Sequence, residues 1–508
     1  MSRPWGQAPG TNGAGTTRLS SPLDQLRAHE QVVVVGSGYG GAIMAARLAR
    51  AGRSVVVLER GTERHPGQFP DRLGDAARDM QVRSAWGRFG SRRALFDMRL
   101  ARGQSVLVGC GLGGTSLINA NVALRAGADV FDDERWPQVL RGDGHHELDR
   151  YYEVAEDMLG SRRFPDHIHP TPKMKALAEG AVALGRTFER PPINVMFSAG
   201  TNAAGFHQEA CTLCGDCCSG CNVGAKNSVL ANYLPDAHAH GARIFTEVEV
   251  ERVRREDGRL LIDLLPVAGG RDHFRAPPLV VSADLVVLAA GTLGSTEILL
   301  RSREAGLPLS TKVGEHFNGN GDVLGFAYDT GEDVDAVGWG ARPGEFPVGP
   351  TIAGRISLWD KSTEDEVTVE EGSIPGALAP VVPPAVALAN LARRDLRPLD
   401  RVRAAARSAR HATRRTLTYL VMSSDDGNGH LRLRHGGLEV DWRDVGRAPV
   451  FASDNEQLRR AAEAIGGTYL AQPAWSTTSD GCTRARRGPR CTRGWSSPMA
   501  RSSPARST

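Results

Sequence analysis

Apolar residues fall along this chain in two different patterns. In its first part they form short unbroken runs, at Gln31 to Val35, Ser54 to Leu58 and Leu285 to Ala290, besides a short apolar strand at Val106 to Val108. Runs of that length without polar alternation suit parallel strands buried on both faces. Between the first two lies Ala42 to Ala51, which reads as a helix ended by Gly52, so strand, turn, helix and strand form a βαβ half-unit. Arg243 to Val253 instead alternates as a half-buried strand does, and Asp257-Gly258 is a turn pairing it with Leu260 to Pro266. Residues 150–185 read as helical. Apolar strands with glycine turns far apart in sequence predict an α/β fold: a Rossmann-like nucleotide-binding domain built from separated segments, with an inserted α+β domain containing an antiparallel sheet. The expected division is a disordered leader at 1–30, the nucleotide domain at 31–130 and 205–324, a helical excursion at 131–204, the inserted substrate domain at 325–450, a return to the first domain at 451–475 and an aberrant disordered tail at 476–508.

At 508 residues the chain is too long for a single ordinary core. The net charge is +4, and the stretch after Trp475 carries seven Arg against one Asp, so the remainder is near neutral. That balance argues against a nucleic-acid partner, which needs a basic face on the folded body. The first 30 residues are rich in Gly, Ser, Thr and Pro with no apolar stretch fit for a signal peptide, and no run is long enough to cross a membrane. Five of the eight cysteines crowd between Cys211 and Cys221, which points to metal or redox chemistry rather than a disulfide scaffold, and so to a cytoplasmic location.

The glycine-rich turn Gly36-Ser37-Gly38-Tyr39-Gly40-Gly41 stands between the first strand and the helix. Gly36 permits the tight turn, Gly38 lets backbone approach a pyrophosphate, and Gly41 lets helix and strand pack closely. The helix N-terminus offers free N–H groups to phosphate. Glu59 ends the second strand where a carboxylate can accept ribose hydroxyls, favouring FAD or NAD over NADP.

The Gly36 to Gly41 turn, the segment Gly109 to Asn119 with Gly113-Gly114-Thr115-Ser116-Leu117, and Ala290-Gly291-Thr292-Leu293-Gly294-Ser295-Thr296 together resemble the GMC (glucose–methanol–choline) flavoprotein oxidoreductases, within them the cholesterol oxidase-like branch. The likeness runs with gaps from about Gln31 to Trp475. It implies noncovalent FAD, with the isoalloxazine near Gly114, Asn119 and Ala120 and backbone contact to the adenosine part at Val248. It further implies oxidation of a secondary alcohol, with sterol the leading substrate and O2 or another carrier as electron acceptor.

Cys211, Cys214, Cys217 and Cys221 follow the spacing C-x2-C-x2-C-x3-C, that of bacterial ferredoxin-type sites, with Asn222 where a proline usually stands. A [4Fe–4S] cluster is the expectation; zinc is the runner-up and reduced, buried thiols the plain structural alternative. A cluster would make the chain a dehydrogenase on another alcohol.

Alcohol oxidation by a flavin needs hydride transfer to N5 and a base for the hydroxyl proton. Val367 to Pro375 resembles the strand that carries the branch's glutamate, and Glu370 matches it best; the alternative is that Glu370 and Glu371 are exposed at a strand end. The branch's histidine, expected shortly after Trp475, has no counterpart here. A frameshift near residues 476–481 would account for this, because codons for Cys482-Thr483-Arg484 can spell His-Pro in another frame. Read as written, the chain could bind FAD without turnover. Arg393 to Arg415, with nine Arg against two Asp, reads as a solvated basic helix, with docking to a membrane surface as the alternative.

Overall fold

This computed structural model describes residues 18–471, apart from 85–86, 102, 269–277, 342–343, 345, 361–364, most of 385–413, and 444. The stretch 472–508, where the frameshift is expected, and most of the basic segment therefore lie outside the described residues.

The chain opens with β1 (His29–Val35), α1 (Tyr39–Arg50) and β2 (Val55–Leu58), followed by the short α2 (Leu73–Arg78). Next come β3 (Met80–Ser84), β4 (Gly87–Phe89), β5 (Phe96–Arg99) and β6 (Val106–Gly109), which form a side sheet. Two helices, α3 (Asp149–Leu159) and α4 (Pro172–Ala183), precede β7 (Phe188–Glu189) and the small hairpin β8 (Gly200–Thr201) and β9 (His207–Gln208). After α5 (Tyr233–Ala239) the chain returns through β10 (Arg243–Phe245), β11 (Val248–Glu256), β12 (Arg259–Pro266), β13 (Leu279–Leu288) and α6 (Gly291–Glu304). The last part comprises β14 (Val323–Tyr328), β15 (Arg355–Asp360), β16 (Asp365–Gly372), β17 (Thr416–Met422), the hairpin β18 (His430–Arg434) and β19 (Gly437–Asp441), α7 (Pro449–Ala464) and β20 (Thr468–Ala471).

Two six-stranded sheets result. The first runs β10-β2-β1-β13-β12-β11, parallel from β10 to β13 and antiparallel beyond. Val32, Val34, Val55 and Val57 face α1 and α5, whose small Ala42, Ala45, Ala46 and Ala49 allow close approach; Val33, Val35, Val56 and Leu58 face the other core with Ile262, Leu264 and Ile298. Burial on both sides is why these strands read as unbroken valine runs. The second sheet, β20-β14-β17-β16-β15-β7, is antiparallel throughout. One of its faces packs Val323, Ala327, Val367, Val369, Leu417 and Tyr419 against α4 and α7. Among the described residues no helix is long and apolar enough to cross a membrane.

The structure differs from the sequence expectations in several places. Residues 18–30 are not a loose leader: the amides of Leu19 and Ser20 donate to the Glu63 carboxylate at 2.7 and 2.8 Å, and Ser20 bridges to Ile244. The helical stretch near 150–185 is two helices, because Gly160 closes the first in a left-handed conformation and Pro172 opens the second. Arg243 to Val253 is two strands, separated where Glu247 takes a φ of 61°. The 131–204 excursion supplies α4 and β7 to the second sheet. Residues 451–471 do not return to the first sheet: β20 pairs with β14, and Leu458, Ala461 and Ala462 of α7 join the second core.

Candidate functional site

The glycine turn after β1 shapes one wall of a cavity of about 740 Å³, the size range of small-molecule sites. Gly36 has a φ of 93°, and a Cβ there would lie 2.5 Å from the Ala289 carbonyl oxygen, so only glycine fits. Gly41 is equally confined, with its Cβ position 2.0 Å from the Gly36 carbonyl oxygen. Gly38 and Gly40, in contrast, face open space toward the cavity. No side chain caps the N-terminus of α1, so its first N–H groups are available to a phosphate there. This cradle, with two glycines closed against the fold and two open to the cavity, fits the pyrophosphate of a dinucleotide.

The second glycine segment is joined directly to the first. The Gly113 amide donates to Ser37 Oγ at 2.9 Å, and a Cβ on Gly114 would come 2.8 Å from the Gly38 Cα. Ser37 Oγ in turn donates to Glu59 Oε2 at 2.6 Å, while the Gly61 amide donates to Glu59 Oε1 at 2.8 Å. The carboxylate that the sequence aims at a ribose thus also braces the turn: Oε2 accepts from the Ser37 amide as well, at 3.1 Å, and Oε1 retains a further lone pair. Gly36, Gly38, Tyr39, Gly40, Glu59, Gly109, Val248 and Gly291 all line the cavity. The Val248 amide donates to the Glu59 carbonyl at 2.9 Å. Asn119 and Ala120 stand behind the wall, and Asn119 Nδ2 donates to the Tyr39 hydroxyl at 3.0 Å. Burial raises the Tyr39 hydroxyl, and this bond from Asn119 opposes the shift.

The loop that leads into β14 borders the same cavity through Phe317, Asn318, Gly319, Asn320 and Asp322. Asp425 clamps that loop: Asn318 Nδ2 donates to it at 2.7 Å, and the Gly319 and Gly321 amides donate to it at 2.7 and 3.0 Å. Sequence reasoning missed Asp322. Its signal is the run Asn318-Gly319-Asn320-Gly321, in which Asn320 and Gly321 have φ of 54° and 55° and turn the chain sharply into the strand. Asp322 is itself exposed, and the neighbouring cavity wall, followed by the negative charge of Asp425, shifts its carboxyl upward.

Glu370 and Glu371 are not exposed at a strand end; they are 2% and 0% exposed in the middle of the second sheet. Consecutive strand residues point to opposite faces. Glu371 faces the core, where Lys173 Nζ lies 2.9 Å from Oε1 and the Ala353 amide donates to both carboxylate oxygens at 3.2 Å. Glu370 faces the other way, opposite Leu420 on β17 and Arg355 on β15, and its Oε1 has no hydrogen-bond partner among the described residues. Burial first, and then the charge of Glu371, pushes the Glu370 carboxyl up to about 7. The same face carries half-buried Leu324, Phe326, Leu420, Met422 and Leu470, an apolar wall flanking the acid. Asp322, one residue before β14, lies on that face and its charge reaches Glu370.

The four cysteines expected as ligands come together at one place. Cys211, Cys214, Cys217 and Cys221 are free thiols around a second cavity of about 20 Å³. Among the described residues no group of three or more His, Cys, Asp and Glu side chains could hold a metal ion. Burial pushes the Cys214 thiol up to about 12 and the Cys211 thiol in the same direction. The loop is held by Lys226, whose Nζ donates to the carbonyls of Leu117, Asn119 and Cys217 at 3.0, 2.7 and 3.1 Å. Among the described residues no histidine lines the large cavity.

With this geometry in view, three relatives are informative. A cholesterol oxidase of Acinetobacter baumannii is 29% identical over 332 residues, covering 60% of this chain and 56% of that protein. A cholesterol oxidase of Mycobacterium tuberculosis is 31% identical over 299 residues, covering 56% of this chain and 50% of that protein. A long-chain-alcohol oxidase of Arabidopsis thaliana is 27% identical over 296 residues, 56% of this chain and 36% of that protein. The chain therefore spans about half the length of the two bacterial relatives it matches. Over residues 30–318, more than half of its length, it matches the family described as GMC oxidoreductase. The chain belongs to the GMC oxidoreductases.

Proposed function

We propose that this chain binds FAD and oxidises a secondary alcohol of apolar character, a sterol being the leading candidate. One observation carries the reading: the cavity bordered by the glycine turn reaches the loop that leads into β14, at Asp322, and the sheet face beyond it carries Glu370, whose buried Oε1 has no partner among the described residues, amid apolar side chains. In this reading Gly36, Gly38, Tyr39, Gly40, Gly41, Glu59, Gly109, Gly114, Asn119, Ala120, Val248 and Gly291 hold the cofactor. When bound, FAD supplies the hydride acceptor. The protein's own part is to orient the alcohol against Leu324, Phe326, Leu420 and Met422, exclude water, and receive the hydroxyl proton at Glu370. A carboxyl poised near 7 suits that task, since it ionises readily at neutral pH and still binds a proton. The apolar wall favours a large hydrocarbon skeleton over a sugar, which would need many hydrogen-bonding partners. The names of the similar proteins support an alcohol as substrate. The six described cysteines are free thiols, which suits work in a reducing, cytoplasmic compartment.

The test is anaerobic reconstitution with FAD, followed by spectroscopy with cholesterol and a panel of simple alcohols. Bleaching of the flavin bands by cholesterol is the expected result, and readmitting oxygen then reports whether O2 is the electron acceptor. Bound flavin that none of the alcohols reduces would overturn the turnover reading; failure to retain flavin would overturn the cofactor reading.

A further inference from the structure

Glu370 can accept a proton, but its surroundings give it no means to release one. It is 2% exposed and among the described residues its Oε1 has no partner. The carboxyl open to the cavity is Asp322, on the same sheet face. The register shows this: Val323 pairs with Val421, Thr368 pairs with Met422, and Glu370 pairs with Leu420, so Asp322 and Glu370 fall on the same side of the sheet. Among the described residues Asp322 has no hydrogen bond or ion pair to its carboxylate, whereas Asp425 next to it is saturated by Asn318, Gly319 and Gly321. Two neighbouring acids with such different environments divide their roles: the saturated one anchors the loop, and the free one is available for chemistry.

We propose that Asp322 is the second proton-transferring group on this sheet face, receiving through water the proton that Glu370 takes from the alcohol and releasing it to solvent at the cavity. This rests on the reading of Glu370 given above. The alcohol O–H bond breaks and its proton goes to a Glu370 oxygen. When bound, FAD would supply the two-electron acceptor for the hydride of the adjacent C–H as the carbonyl forms, so that Glu370 has only the hydroxyl proton to hold. The proton on Glu370 then passes to Asp322 and out, which restores the ionised Glu370. The charged groups facing Asp322 are Asp425 from the loop before β18 and Glu370 from β16; Arg355 on β15 is engaged by Glu189 at 2.7 Å. The cavity wall and then Asp425 raise Asp322, and burial and then Glu371 raise Glu370, so both carboxyls shift in the same direction.

Two measurements on the FAD-loaded full chain test this. The first needs no turnover: the absorbance of bound flavin is titrated from pH 5 to 9. In E370Q, which removes the other acid on that face, a spectral midpoint that vanishes in E370Q/D322N and persists in E370Q/D322E is the expected result. No midpoint in E370Q, or one that survives in E370Q/D322N, overturns the proposal. The second follows alcohol-driven bleaching beside a pH-indicator dye. D322N is expected to release its proton at least tenfold more slowly than it bleaches, while release in step with bleaching overturns the relay. Should no alcohol bleach the unaltered chain, the turnover reading fails and the relay with it. If D322N is not recovered folded, D322S replaces it in both measurements.

Discussion

The two large sheets use their side chains in opposite ways. In the first, both faces are buried and the proposed cofactor contacts sit at the strand ends, where β1 runs into the glycine turn and β2 into Glu59. In the second, one face is buried by α4 and α7, and the proposed base, Glu370, lies in mid-strand on the other face. A site at strand ends can be recognised from local sequence, because turn geometry demands particular residues. A site on a sheet face depends on which way each residue of a strand points and on what lies across from it.

The largest effect is expected at the end of the first sheet. In G36V the new Cβ would lie 2.5 Å from the Ala289 carbonyl oxygen at a φ only glycine readily adopts, so the turn cannot close. The variant is expected to be recovered without flavin, as measured by the visible spectrum after reconstitution; full flavin occupancy would contradict the assignment of this turn to the cofactor.

On the second sheet, E370Q keeps the shape and removes the base. Alcohol-driven flavin reduction should slow by about 10²–10⁴-fold while flavin stays bound. A loss of less than threefold would show that the base lies elsewhere. K173M breaks the fully buried pair with Glu371 and strands a carboxylate in the core. Chemical denaturation should then show a loss of about 3–5 kcal/mol. Because Lys173 belongs to α4 and Glu371 to β16, that loss would also show that the segment before residue 204 is integral to the second domain.

The two sheets should also differ in pH response. Glu370 is protonated below about 7 and cannot then accept a proton, so flavin reduction should rise with pH through that value and level off above it. Stability should move the other way. Between the ordinary carboxylate range and about 7 the folded chain binds protons that the unfolded chain does not, so stability attributable to Glu370 falls as pH rises through that window. E370Q should flatten both dependences; a rate profile that keeps its midpoint would remove Glu370 from the reaction. The smallest change is S37A, which removes the hydroxyl between Glu59 and the Gly113 amide. A stability loss of about 1 kcal/mol is expected, with weaker flavin retention.

The sequence is informative wherever local geometry restricts the residue. Gly36 and Gly41 have no room for a side chain, and Val32 to Val35 are buried on both faces, so both features are visible without knowledge of neighbours. The Asp257-Gly258 turn is of the same kind, with φ of 49° and 79°. Where spacing alone is the guide, the sequence says less. The cysteine run matches a ferredoxin pattern, but spacing does not state how the thiols face one another, and among the described residues no group of three or more His, Cys, Asp and Glu side chains is placed to hold a metal ion. The placement of residues 451–471 failed for a related reason: an amphipathic helix does not state which sheet it covers, and α7 found the second.

By itself, then, the sequence determined the dinucleotide turn, the doubly buried parallel strands and the family, because each rests on contacts a few residues long. Tertiary structure decided that Glu371 turns inward to Lys173 while Glu370 faces the apolar wall, and that Asp322, far away along the chain, shares that face. Those facts depend on strand register and on pairing between segments roughly 50–200 residues apart, and a two-residue period shows that neighbours oppose each other without showing what either one meets.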